Sequence, residues 1–186
     1  MPGLKDFASQ TAECFEFLKC VNPNQLSWTL VWDLLANARR RAELEMKYED
    51  ALVRCYSAIE KAAKHELLKS HGIDNSAAAA EQVPDLLRGK FLAKYLALVE
   101  DRRGGHVERL QFGAVPSFEL LRALDNPMGK RFFALEHGLE HMAGRNRSFL
   151  AHGLNATDQE TFEALFADAL GILNIRRESL PQFPAF

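Results

Sequence analysis

Chemistry in this chain is concentrated in one window, EHGLEHMAGRNRSFLAHG (Glu136 to Gly153), which holds three of the six histidines, His137, His141 and His152, together with Arg145, Asn146 and Arg147. Three readings fit it. The first is phosphodiester cleavage. Arg145 and His152 are seven residues apart, two helical turns, so on a helix they share one face to within about 20°. Ser148 lies four before His152 and meets the same face. A guanidinium carries a permanent charge in a fork matched to phosphate oxygens, and an imidazole takes or gives a proton near neutral pH. Such a pair is suited to cleaving RNA through its own 2′-hydroxyl without a metal. The second reading is a zinc site, since His137-Gly-Leu-Glu140-His141 fits H-x-x-E-H with Glu140 as base and a third ligand drawn from Glu160, Glu163 or Glu178. Gly138 is an odd choice within a rigid ligand helix. The third is structural, with the histidines as partly solvated positions and the arginines paired to nearby acids.

The elements that position this window read as helix almost throughout. Leu26 to Glu45 repeats apolar residues at Leu30, Leu34, Leu35 and Ala38, with Ser27 as N-cap. After a break at Met46–Lys47, Tyr48 to Ser70 places Leu52, Cys55, Tyr56, Ile59 and Ala63 on one stripe, and Gly72 stops it. The two form an expected antiparallel pair. Residues 73–84 read as loop, with a possible helical turn at Ala77–Ala80. Pro84 to Asp101 reads as a third helix and Pro116 to Leu124 as a short one. Met128 to His152 follows as one long helical run opened by Asn126–Pro127 and weakened at Gly138 and Gly144. Thr157 to Arg177 closes the series, with Thr157 and Glu160 in a capping-box spacing. No strand is expected, so the class is all-α. The expected organisation is an N-terminal helix or linker at 1–24, a helical domain at 25–180 and a tail at 181–186.

Length and composition agree. A chain of 186 residues with 47% hydrophobic and 26% charged residues is one ordinary globular domain. The formal charge of −2 excludes a histone-like or basic-tail nucleic-acid binder. It leaves room for a local patch. Met128 to Gly153 carries four basic against two acidic side chains, whereas Thr157 to Arg177 carries four acidic against two basic. Three cysteines, Cys14, Cys20 and Cys55, make a poor disulfide framework and read as small buried hydrophobes. With no apolar start and no apolar run of spanning length, a soluble cytoplasmic protein away from membranes is expected.

The segment RNRSFLAHG (Arg145 to Gly153) resembles the R-x4-6-H signature of HEPN-domain ribonucleases. It is most similar to the effector half of CRISPR-associated proteins that join a CARF sensor to a HEPN ribonuclease in type III systems. LLANARRRAE (Leu34 to Glu43), YEDALVRCYSAIE (Tyr48 to Glu60) and GIDNS (Gly72 to Ser76) resemble the blocks that this family carries ahead of its catalytic helix. The resemblance spans roughly residues 30–170. It implies a HEPN-type helical bundle, a two-fold homodimer with a composite cleft, and metal-independent cleavage of single-stranded RNA in antiviral defence, with no cofactor. It places the catalytic arginine on Arg145, the following polar residue on Asn146 and the histidine on His152. Arg147, at x4 spacing, is a second arginine fitting the loose pattern, and Asn146 and Ser148 are supporting hydrogen-bonders. No βαβ pattern for a CARF sensor occurs here, so a sensor is expected elsewhere, in cis or in trans. The resemblance also admits an inactive HEPN interaction module, such as a toxin–antitoxin partner.

Other residues have two readings. Lys130 and Arg131 either guide RNA or simply solvate a helix start. Arg102, Arg103 and His106 either contact RNA or decorate an exposed loop. Phe132, Phe133, Phe149, Phe162 and Phe166 fit core or dimer interface better than base stacking. His65 and His71 suit a helix end, where the dipole favours a cation.

Overall fold

The computed structural model describes residues 4–100, 105–135 and 158–182. Among them are seven α-helices and one two-stranded hairpin, so the chain is of the all-α class. It divides into two compact units, Met1–Ala62 with His137–Phe186, and Ala63–Glu136. The dividing point lies inside one helix.

In the first unit, α1 is Leu4–Cys20, α2 is Trp28–Glu43, α3 starts at Tyr48, and α7 is Gln159–Leu173. Ser27 caps α2 as expected, its hydroxyl accepting from the Leu30 N–H at 3.3 Å. The core takes Val31, Leu35 and Ala38 from α2, Cys55 and Ile59 from α3, and Phe162, Phe166 and Ile172 from α7, each at most 1% exposed. Ala38, Ala51, Ala58 and Ala62 are fully buried among these helices. The thiol of Cys55 sits within reach of the Leu165 carbonyl at 3.9 Å. On α1, Cys14 is buried, and its thiol donates to the Gln182 carbonyl at 3.0 Å. Cys20 is exposed, which corrects the reading of all three cysteines as buried. It lies on the last turn of a helix that presents only a narrow face to the core.

The second unit holds the end of α3 at His71, α4 (Asp85–Tyr95), β1 (Leu96–Glu100), β2 (His106–Leu110), α5 (Ala114–Ala123) and α6 (Pro127–Ala134). Gly72 ends α3 at φ +68°, the left-handed conformation that glycine reaches without a Cβ penalty.

Three expectations are corrected. Pro84 to Asp101 is not one helix: it ends at Tyr95, and Leu96–Glu100 pairs antiparallel with His106–Leu110. Leu92, Leu96 and Val99 satisfy a helical period, but aromatic packing wins. Phe91, Tyr95 and Phe112 form a cluster with ring centroids 5.1 to 6.1 Å apart, which ties the base of the hairpin to α4. Second, the helix from Met128 stops at Ala134, with Leu135 extended (φ −76°, ψ 130°). A periodic run does not reveal a break across which the apolar phase is kept. Third, the cap of α7 is Asp158 rather than Thr157, its carboxylate accepting from the Thr161 N–H at 2.8 Å. A carboxylate also gains from the positive end of the helix dipole, which a hydroxyl does not. The turn expected at Ala77–Ala80 lies at Ala80–Gln82, as a single 3-10 turn.

Candidate functional site

Arg145, Asn146, Arg147, Ser148 and His152 lie outside the described residues, as do His137, Glu140, His141, Phe149, Arg102 and Arg103. What the structure supplies is the scaffold on each side of that window in sequence: α6 before it and α7 after it.

The position of α6 follows from one absent side chain. A Cβ on Gly129 would come 2.3 Å from the backbone nitrogen of Arg122 and 2.6 Å from the carbonyl carbon of Leu121. Helix α6 therefore rests on the backbone of α5, closer than any other residue permits. Beside this contact Phe118 and Phe132 stack face to face, centroids 4.1 Å apart and planes 3° from parallel. The start of α6 is fixed by Asn126, which is 7% exposed. Its Oδ1 accepts from the Met128 N–H at 2.9 Å, and its Nδ2 donates to Glu66 Oε1 at 2.8 Å. The same Nδ2 is 3.4 Å from His71 Nε2 on the last turn of α3. One buried amide thus joins α3 to α6.

This arrangement carries the two candidate RNA-binding residues. Lys130 is exposed, with Nζ 2.7 Å from Asp125 Oδ1. An exposed pair of this kind is worth at most about 1 kcal/mol, so a phosphate can displace Asp125 at little cost. Arg131 next to it is half-buried. A third cation was not foreseen: the guanidinium of Arg122 on α5 lies 3.9 Å from the centroid of the Phe133 ring. Residues 122 and 133 are on different helices, so no local spacing signals the contact. Phe132 is fully buried in the core, as the sequence implies.

Helix α7 is held differently. Arg177, just beyond it, grips Glu163 with both terminal nitrogens, at 2.8 and 3.1 Å, and reaches Glu43 on α2 at 2.7 Å. Arg39 donates to the Arg177 carbonyl at 3.2 Å, and the Arg177 guanidinium lies 5.3 Å from the centroid of the Phe166 ring. The hydrogen bonds from Glu163 and then Glu43 raise the guanidinium pKa further still, so it stays charged at any working pH. Both oxygens of Glu163, a candidate third zinc ligand, are engaged by this arginine. Glu160 is on the first turn of α7, and Glu178 lines a groove of about 500 Å³ with Glu13, Phe17 and Trp32. Among the described residues no group of three or more His, Cys, Asp or Glu side chains is placed to hold a metal ion.

At the end of α2 the charges neutralise one another. Arg39, Arg40 and Arg41 at the end of α2 pair with Glu43 and Glu45, and Arg41 also meets Asp50 at 3.1 Å. The carboxyl of Glu45 is held below its usual range by hydrogen bonds from Lys47 and then Arg41. The arginine run is therefore a salt-bridged corner and not a basic patch. Burial raises the Cys55 thiol pKa, so this cysteine is an inert packing residue rather than a nucleophile. Burial also lowers the pKa of His65, with Lys69 adding to the effect, whereas His106 is exposed at the start of β2. Among the described residues no helix is long and apolar enough to cross a membrane.

Compared with protein families, residues 22–176 match the family model described as the Csm6 HEPN domain. No curated protein and no solved structure matches the chain.

Proposed function

The chain belongs to the Csm6 HEPN-domain family of CRISPR-associated proteins, and on that premise we propose that it is an endoribonuclease effector that cleaves single-stranded RNA without a metal. The observation that carries this reading is the family match itself. It runs from residue 22 to residue 176 and so encloses the arginine–histidine window that fits the family's signature.

Arg145 and His152 are the proposed catalytic pair. The 2′-hydroxyl of the substrate attacks the adjacent phosphorus, the bond from phosphorus to the 5′-oxygen breaks, and a 2′,3′-cyclic phosphate and a 5′-hydroxyl are released. His152 handles a proton in this exchange, taking that of the 2′-hydroxyl or supplying one to the leaving oxygen. Arg145 stabilises the charge that builds on the phosphate oxygens. Asn146 and Ser148 orient these groups, and Arg147 is the second arginine within reach of the phosphate. Two copies related by a two-fold axis bring two such pairs into one cleft. Lys130 and Arg131, joined by Arg122, supply sequence-independent phosphate contacts that hold the strand. The proposed catalytic unit is residues 25–180. Its activating sensor is a CARF-type domain or protein, in cis or in trans.

The test is cleavage of a labelled single-stranded RNA by the purified chain at high enzyme concentration, with EDTA present. Cleavage that survives EDTA and leaves a cyclic phosphate is the expected result. His152→Ala and Arg145→Ala each lower the rate by at least about 100-fold with helicity unchanged. Arg147→Ala has the smaller effect. A His152→Ala chain as active as the parent overturns the assignment, and loss of cleavage in EDTA returns His137 and His141 to consideration as ligands. A stable dimer without cleavage identifies the chain as an interaction module.

A further inference from the structure

The groove lined by Glu178 takes no part in the chemistry above, and it is a formed cavity within the first unit. It encloses about 500 Å³, inside the range of about 300–1,000 Å³ that holds a small molecule. The most buried side chains lining it are Cys14 and Leu180, 7% and 2% exposed. Two half-buried aromatic rings stand beside them, Phe17 on α1 and Trp32 on α2. Glu13 on α1 and Glu178 on the turn Arg177–Ser179 are exposed at the rim.

The charge of this lining is one-sided, because no lysine, arginine or histidine contributes to it. Glu16, Glu43 and Glu163 in the same unit each have a cationic partner: Lys19 at 2.5 Å for the first, Arg177 at 2.7 and 2.8 Å for the others. Among the described residues Glu13 and Glu178 have none. The Glu13 carboxylate accepts from the Ser9 hydroxyl at 3.4 Å, a long and uncharged contact. Its field reaches into the groove. Burial and then this carboxylate hold the Cys14 thiol pKa above its usual range, so the base of the groove is a neutral thiol.

Two negative charges from different elements therefore flank a slot of aromatic and aliphatic carbon. A compact metal ion such as magnesium keeps its water and gains nothing from carbon walls. An ammonium group on a methylene chain gains from both parts. Its charge is attracted by the carboxylates and by the faces of tryptophan and phenylalanine, and its stem lies on apolar surface. We propose that the groove binds a linear aliphatic polyamine, with one ammonium at Glu13, another at Glu178 and the methylene spacer along Phe17 and Trp32. This site does not depend on the proposed cleavage of RNA.

The experiment is calorimetric titration of the full, RNA-free chain with spermidine, and one site per chain is expected. Glu13→Gln and Glu178→Gln are each expected to weaken binding about tenfold, because each removes one charged contact. Trp32→Ala weakens it as well, whereas Trp32→Phe keeps an aromatic face and most of the affinity. Glu100→Gln, which removes an exposed carboxylate from the second unit, leaves the affinity as in the parent. Hexylamine, with one ammonium, binds at least about tenfold more weakly than spermidine. An equal concentration of magnesium chloride leaves spermidine binding in place. Melting curves establish that each variant is folded. Absence of spermidine binding to the parent overturns the proposal. So does displacement by magnesium, or a loss in Glu100→Gln as large as in Glu178→Gln, since either shows diffuse attraction to acidic surface.

Discussion

Helices α6 and α7 lie on either side of the arginine–histidine window in sequence, and they are secured by different physics. Helix α6 is held by shape: Gly129 lets it touch the backbone of α5, and Phe118 stacks on Phe132. Helix α7 also buries Phe162 and Phe166, but its end is tied by charge, through Arg177, Glu163 and Glu43. Contacts of shape are indifferent to salt and intolerant of added volume. Partly exposed ion pairs tolerate changes of volume and weaken as salt screens them. The two flanking helices therefore respond to different perturbations.

The largest effect is expected at Gly129. Gly129→Ala puts a Cβ against backbone atoms that no rotamer change can move. The helix must lift, disturbing the Phe118–Phe132 stack, at a cost of about 3 kcal/mol. Urea unfolding measures this loss, which is expected to be the same in low and high salt. A loss below about 1 kcal/mol would show that α6 does not rest on α5 by shape, since that is the range of exposed surface effects.

Arg177→Ala comes next. It removes a bidentate pair to Glu163 and a bond to Glu43, all about two-fifths exposed. The expected cost is about 1 kcal/mol at low salt, shrinking as salt is raised. A cost that is independent of salt would mean that the arginine acts through its stacking on Phe166 instead, and the contrast with α6 would fail.

The smallest effect is at the cap of α7. Hydrogen bonds from the backbone and then the side chain of Thr161 hold the Asp158 carboxyl below its usual range. A depressed folded value means that the stabilisation is present above the ordinary aspartate range and is lost as pH falls through the folded value. Asp158→Asn keeps a capping oxygen but has no charge to lose. Melting of the parent and of the variant is expected to converge in acid, with the parent slightly more stable at neutral pH. A parent advantage that persists in acid would show that the carboxylate charge contributes nothing to the cap.

Much of the helical frame was legible because it rests on local rules. The apolar stripe of α3, the Ser27 cap and the Gly72 stop each follow from residues within a few positions of one another. The hairpin was not legible. Leu92, Leu96 and Val99 satisfy a helical period, and the competing pairing depends on Leu110 and Phe112, more than ten residues away. The Arg177 network and the Arg122–Phe133 contact were hidden for the same reason. The candidate site was legible as residue types and spacing, which name a chemistry without placing it.

The sequence by itself determined the all-α class, the family resemblance and a candidate arginine–histidine pair, because helical periodicity and side-chain chemistry are properties of short segments. The tertiary structure alone decided where the expected third helix gives way to a strand, that Arg122 lies over the Phe133 ring, and which forces hold α6 and α7. Those outcomes depend on groups far apart in the chain, whose packing and charge interact only once the backbone has brought them together.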